Sequence, residues 1–178
     1  MIKSDVIVDI DLVYDKDKLI KEMELVNFIP YNDLGPKQKG TSNIPEGSWF
    51  KNPDTWLLGH VTEDLPEVSN VVKQLENLFG AKDIRPRFYK QEANTFVPLH
   101  TDTGTLSAVN IILSEDCAPV KFEGIGFINY KCALIDTQKR HGVPEHPTER
   151  LLLKFSIFDV TFDECKLKLE ESLWIQKQ

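Results

Sequence analysis

From residue 83 onward the chain breaks into short runs of β-forming residues, and this pattern limits its fold more than any other feature. The runs are Ile84–Tyr89, Leu106–Leu113, Val120–Phe122, Gly126–Asn129, Cys132–Ile135 and Leu151–Val160. Turn residues Asn94, Gly104, Pro119, Gly124, Gly142 and Pro144 separate them. Several short strands at close spacing predict a sandwich or barrel. Before residue 83 the texture differs. Val6, Val8, Ile10 and Leu12 alternate with mostly polar neighbours, which predicts a strand over 6–13. Asp15 can cap a short helix with Leu19, Met23 and Val26 on one face. Asp64-Leu65-Pro66-Glu67 combines an acid cap, a first-turn proline and a capping-box glutamate. Leu65, Val68, Val72, Leu75 and Leu78 continue at helical spacing, and Gly80 supplies a stop. Helices first and strands later predict an α+β chain, mainly β, with the N-terminal helices packed on one side of a β core.

Two stretches resist this reading. Residues 30–55 hold Pro30, Gly35, Pro36, Gly40, Pro45, Gly47 and Pro53, and predict a long irregular segment of the kind that serves as a lid or else is mobile. In the tail, Cys165, Leu167 and Leu169 alternate while Leu169 and Leu173 are four apart, so strand and helix both fit.

A length of 178 residues argues for one domain spanning 1–178, with its β core over about 84–160. It is too short for an eightfold βα barrel, which needs about 250 residues. The 41% hydrophobic and 28% charged composition is ordinary for a globular chain and argues against disorder. A net charge of −7 argues against nucleic acid as the main partner. Cys117, Cys132 and Cys165 lack metal-type spacing and read as free thiols in a reducing compartment. No secretion signal, transit peptide or membrane span is evident, so the expected location is the cytoplasm, away from membranes.

The chemistry concentrates in three places. His100 and Asp102 are two residues apart at a strand end, so their side chains share a face. His141 lies 39 residues further on, far enough for intervening strands to return it to the same place. Two histidines and one carboxylate take one face of an octahedral ion and leave three positions open, the ligand set of non-haem Fe(II) oxygenases. Zinc would also accept these ligands. Arg150, nine residues after His141, opens the apolar run Leu151-Leu152-Leu153. An arginine entering a core strand is costly unless paired, and a dicarboxylate matches its guanidinium fork.

Together, His100-Thr101-Asp102, His141-Gly142-Val143 and Arg150 resemble the signature of the Fe(II)/2-oxoglutarate-dependent oxygenases. The resemblance runs from about Ile84 to Asp159 and implies a double-stranded β-helix, or jelly roll, with Fe(II) at one open end. It implies that His100, Asp102 and His141 bind the iron and that Arg150 holds the distal carboxylate of 2-oxoglutarate. Dioxygen would be the second co-substrate, and succinate and CO2 the co-products of hydroxylation. More finely, Ala133 to Asp136, His141-Gly142-Val143 and Glu149-Arg150 look like aspartyl/asparaginyl β-hydroxylases, while Asp102 looks like prolyl hydroxylases. The implied substrate is a peptide or a small molecule of amino-acid type. Tyr89 and Asn110 sit where these families place secondary co-substrate contacts.

Plainer readings stand beside these. Arg87 and Tyr89 share a strand face, where a structural salt bridge and a packed ring compete with ligand contact. Asn110 either faces a cavity or satisfies a backbone group. His60 and His146 read as surface or hydrogen-bonding histidines. Trp49, Phe50 and Trp56 either form a substrate lid or are buried over the β core, burial being the simpler reading. Glu115-Asp116 reads as a solvated turn. A cupin-like hydrolase or isomerase with another metal, and a non-catalytic metal-binding domain, are the competing functions.

Overall fold

The computed structural model describes residues 4–33, 41–42, 56–62 and 64–175. Its centre is a pair of antiparallel sheets. The larger is built from β1 (Ile7–Asp9), β2 (Phe28–Pro30), β4 (Trp56–His60), β5 (Ile84–Gln91), β7 (Ser107–Ile112), β10 (Cys132–Ile135) and β12 (Arg150–Ile157). Its strand order is β1-β10-β7-β12-β5-β4-β2. The smaller takes β3 (Thr41–Ser42), β6 (Val97–Asp102), β8 (Val120–Phe122), β9 (Gly126–Ile128) and β11 (His141–Val143), in the order β3-β6-β11-β8-β9. The expected mainly-β α+β jelly roll is the architecture found.

Strand β12 shows how the sequence builds the two layers. Leu153, Phe155 and Ile157 point outward and are wholly buried beneath the helices. Arg150, Leu152, Lys154 and Ser156 point inward and line a cavity between the sheets. Helices α1 (Lys16–Glu24) and α2 (Pro66–Phe79) cover the outer face through Leu19, Met23, Val68, Val71, Leu75 and Phe79. Helix α3 (Phe162–Ile175) joins them through Phe162 and Cys165, so the helical layer is both N- and C-terminal. A reciprocal capping box settles the ambiguous tail as a helix: Glu164 N donates to Thr161 Oγ1 and Thr161 N donates to Glu164 Oε2.

Several expectations need correction. The first strand covers Ile7–Asp9 and not 6–13. Strands also precede residue 83: β1, β2 and β4 complete the large sheet, so the β core begins well before residue 84. Residues 34–40, 43–50 and 51–55, including Trp49 and Phe50, lie outside the described residues. Asp15 caps α1 as expected, accepting from Lys18 N. Helix α2 is capped differently. Leu65 holds the cap position without a side-chain bond, and Asp64 instead accepts from Ser69 Oγ. The free N–H groups of Glu67 and Val68 donate to the buried carboxylate of Glu22, at 2.7 and 2.9 Å. A charged acceptor from α1 thus satisfies the α2 terminus and ties the two helices together. Gly80 ends α2 in the left-handed region, at φ 64°.

Cys117, Cys132 and Cys165 are free thiols, and burial pushes Cys132 up to about 12 and Cys165 up to about 11. No described helix is long and apolar enough to cross a membrane.

Candidate metal centre

Strands β6 and β11 lie side by side with His100 and His141 as register partners. This pairing explains how 39 residues of separation vanish in space. The imidazole centroids are 4.6 Å apart. Asp102, two residues along the same face of β6, sets Oδ1 at 3.5 Å from His100 Nε2 and 3.9 Å from His141 Nε2. One ligand atom from each of the three lies within 4.8 Å of the others, and all three side chains are buried.

Backbone carbonyls fix both imidazoles in the same tautomer. His100 Nδ1 donates to Pro98 O at 2.7 Å and His141 Nδ1 donates to Lys139 O at 2.8 Å. A carbonyl only accepts, so Nδ1 carries the proton and Nε2 keeps its lone pair for the centre. The loops behind the ligands are tied to one another. Asp102 N donates to Thr137 O, and the Gln138 amide donates to Asp102 O and Thr105 O. Gly142 permits the close pairing: a Cβ there would stand 2.6 Å from Val97 O and 3.0 Å from Pro98 O.

Burial pushes the His141 imidazole down to about 4, with the His100 charge adding to the effect. Burial opposes the Asp102 charge, but Lys154 and both histidines outweigh it and hold the carboxyl well below its usual range. A neutral His141 imidazole beside an ionised Asp102 carboxylate suits a divalent cation, which needs deprotonated ligands. The donor set of two nitrogens and one oxygen fits Fe(II), and His100, Asp102 and His141 could hold it.

The wall opposite is polar where a buried strand is usually apolar. Arg150 is buried, and its Nη2 donates to Tyr130 Oη at 2.8 Å. Asn110 Nδ2 donates to the same Oη at 3.1 Å. Among the described residues, Gln91 Oε1, Asn110 Oδ1 and Arg150 Nε are buried without a hydrogen-bond partner. Such orphaned groups are costly unless a ligand satisfies them. Tyr89 lines the same cavity, stacked on Trp56 at 5.7 Å, and Trp56 stacks on Tyr31 at 4.5 Å. Trp56 is thus buried over the β core.

The structure therefore brings together His100, Asp102, His141, Arg150, Tyr89 and Asn110, all six around one cavity. Two members had no place in the sequence reading. Lys154 donates to Asp102 Oδ2 from within the site. It stands four residues after Arg150 in the same apolar run, so the argument that singled out Arg150, the cost of an unpaired charge in a core strand, reaches it too. Tyr130 lies in the short link between β9 and β10 and has no motif around it. His146 is hydrogen-bonded to Thr148, as expected. His60, expected to be a surface or hydrogen-bonding histidine, instead ends β4 opposite Arg87, with Nε2 buried and, among the described residues, unpartnered.

No protein-family model matches the sequence, and no curated protein matches it significantly. Solved structures do match in fold. A 2OG-Fe(II) oxygenase family oxidoreductase from Burkholderia pseudomallei is 14% identical with a TM-score of 0.52, covering 80% of this chain and 77% of that one. A prolyl hydroxylase from Trichoplax adhaerens, solved with a hypoxia inducible factor peptide, is 11% identical with a TM-score of 0.59, covering 85% and 80%. The viral collagen prolyl hydroxylase of Paramecium Bursaria Chlorella virus-1, solved with 2OG, is 9% identical with a TM-score of 0.55, covering 88% and 97%. Across four-fifths of its length or more, then, this chain has the fold of the 2OG-Fe(II) oxygenases to which it is similar.

Proposed function

We propose that the chain is an Fe(II)- and 2-oxoglutarate-dependent dioxygenase that hydroxylates an unactivated C–H bond of a peptidyl or free amino-acid-type substrate. One observation carries the reading. Two Nε2 lone pairs and a carboxylate oxygen converge within 4.8 Å, and a buried guanidinium with an orphaned Nε faces the same cavity. A metal site alone suits many chemistries; a metal site facing a carboxylate anchor suits an acidic co-substrate. The neighbours in fold support this, since one was solved with a peptide and another with 2OG.

In this reading His100, Asp102 and His141 hold the metal, and their carbonyl-fixed tautomers keep the nitrogen lone pairs aimed at it. Arg150 takes the distal carboxylate of 2-oxoglutarate, with Tyr130 orienting the guanidinium and offering a hydroxyl to the same group. Asn110 satisfies Tyr130 from the other side. Tyr89, Trp56 and Leu152 form the apolar wall that keeps water from the co-substrate's carbon chain. Bound there, Fe(II) and 2-oxoglutarate would supply the oxidation of the substrate by dioxygen, with release of succinate and CO2.

Succinate release from 2-oxoglutarate tests this, measured with Fe(II), Zn(II) and Mg(II) and with the Asp102→Ala and Arg150→Met variants. Turnover with Fe(II) alone, lost in both variants, is the expected result. No turnover with Fe(II), or turnover indifferent to Arg150, would refute it.

A further inference from the structure

Arg87 is a cavity-facing cation that neither the fold nor the proposed reaction uses. It projects from β5 on the same face as Tyr89 and Gln91 and lines the metal cavity. Its neighbours in register are Lys154 on β12 and His60 on β4, so three basic side chains sit in one row across three strands. Like charges opposite one another destabilise a sheet unless something offsets them. Asp102 offsets Lys154. Nothing offsets Arg87: among the described residues it makes no ion pair and no hydrogen bond. Its fellow arginines are all engaged. Arg85 pairs with Asp83, Arg140 with Glu123, and Arg150 bonds Tyr130. The structural salt bridge that could have explained Arg87 is therefore not made.

The co-substrate does not claim it either. Arg150 pairs in register with Gln91, and Arg87 stands four residues along β5 from that level. Four residues of strand span about 13 Å between Cα atoms, so a five-carbon dicarboxylate held by Arg150 leaves Arg87 free. Charge points the same way. Arg87, Arg150 and Lys154 against Asp102 leave an excess of two positive charges in the cavity, and a divalent metal with a doubly charged 2-oxoglutarate does not change that excess. A half-buried excess of positive charge selects an anion. Because Lys154 touches Asp102, an anion on Arg87 would sit beside the metal centre.

We propose that Arg87 receives a carboxylate of the substrate, so that the compound oxidised at this centre is an acid. The proposal rests on the oxygenase reading and narrows its substrate. The carboxylate can be the α-carboxylate of a free amino-acid-type molecule or the side chain of an acidic residue in a peptide.

Protein loaded with Mn(II) and 2-oxoglutarate can be tested with N-acetyl amino acids, the matching amides, and the N-acetyl amides of Asp, Glu, Asn and Gln. Paramagnetic relaxation of ligand protons reports which molecule approaches the metal. Some acid should be held at least about tenfold more tightly than its neutral partner, as one charge-assisted bond implies. Preference for N-acetyl amino acids identifies an α-carboxylate, and preference for the amides of Asp or Glu identifies a peptidyl acid. Arg87→Met should abolish the preference and Arg87→Lys should keep part of it, with 2-oxoglutarate affinity unchanged within twofold. Equal binding of acids and amides, or approach by no acid, overturns the proposal, and the wild-type comparison decides this even if a variant misfolds. Loss of 2-oxoglutarate affinity in Arg87→Met also overturns it, by assigning Arg87 to the co-substrate. Failure of the Mn(II)-loaded wild type to bind 2-oxoglutarate refutes the oxygenase reading instead, and the acid preference measured with Mn(II) alone still decides the role of Arg87.

Discussion

The two oxygens of Asp102 face different partners: Oδ2 accepts from the Lys154 ammonium, while Oδ1 faces the Nε2 atoms of His100 and His141. Lys154 therefore leaves a single carboxylate oxygen for a metal and restricts Asp102 to one-point ligation. It also neutralises the buried carboxylate when no metal is bound. Burial opposes the Lys154 charge, yet Asp102 outweighs it and raises the ammonium above its ordinary value.

Lys154→Met leaves Asp102 buried without its cation. The metal-free variant should lose about 3–5 kcal/mol of stability, the usual cost of breaking a buried pair from one side. A divalent metal replaces the missing charge, so added Mn(II) should raise the melting temperature of the variant more than that of the wild type. Thermal melts with and without Mn(II) check this. Equal stability of the two metal-free proteins would show that the pair carries no weight.

Gly142 sits where β11 presses on β6, and an added methyl would meet the carbonyls of Val97 and Pro98. Pro98 O is also the acceptor that fixes His100. Gly142→Ala should cost about 1–3 kcal/mol of stability from overpacking. It should weaken metal binding as well, because moving Pro98 disturbs the tautomer lock. Urea unfolding and metal titration of the variant read the two effects separately, and a change in stability with full metal affinity would sever that link.

The metal-free protein should lose stability on mild acidification. Burial, helped by His100, lowers the folded His141 imidazole to about 4, against the ordinary 6.5. Between those values the unfolded chain binds a proton that the folded chain excludes, so stability rises with pH across the window and falls as pH drops through it. The full effect is about 3 kcal/mol at one proton over this interval. Asp102, whose folded value is depressed, adds its own loss only at lower pH, as the carboxyls protonate. Denaturant unfolding at pH 7.5 and pH 5 should show the slope, and His141→Gln should flatten it; an unchanged slope in that variant would assign the titration elsewhere.

Arg150→Met should weaken 2-oxoglutarate binding by about 1.5–3 kcal/mol, or roughly 10- to 150-fold, through loss of a charge-assisted contact. Tyr130→Phe removes one neutral hydroxyl and should cost about 1 kcal/mol, roughly fivefold. Neither side chain is a metal ligand in this account, so metal affinity should hold in both. Parallel titrations of Mn(II) and 2-oxoglutarate distinguish the roles, and a joint loss of both affinities in Tyr130→Phe would place that residue in the metal site's support.

What the sequence disclosed follows a physical division. His100, Asp102, His141 and Arg150 stood out because their chemistry is conspicuous in β-type surroundings and their spacing suits strands. Lys154 obeys the same rule and was within reach of it. Tyr130 was not, since its meaning lies in a hydroxyl placed between Arg150 and Asn110, which only the packing of β7 and β12 creates. The α2 cap was hidden for a similar reason: its acceptor, Glu22, is 45 residues away in sequence. Strand β4 was obscured by the proline- and glycine-rich stretch before it. His60 acquires its setting beside Arg87 only through that strand's pairing.

Titration of 2-oxoglutarate into the protein with and without Mn(II) bears most directly on the metal centre and its anchor. Metal-dependent binding at one molecule per chain, lost in Asp102→Ala and Arg150→Met, is the predicted outcome. Binding that ignores the metal, or no binding at all, would contradict the assignment of His100, Asp102, His141 and Arg150 to one oxygenase site.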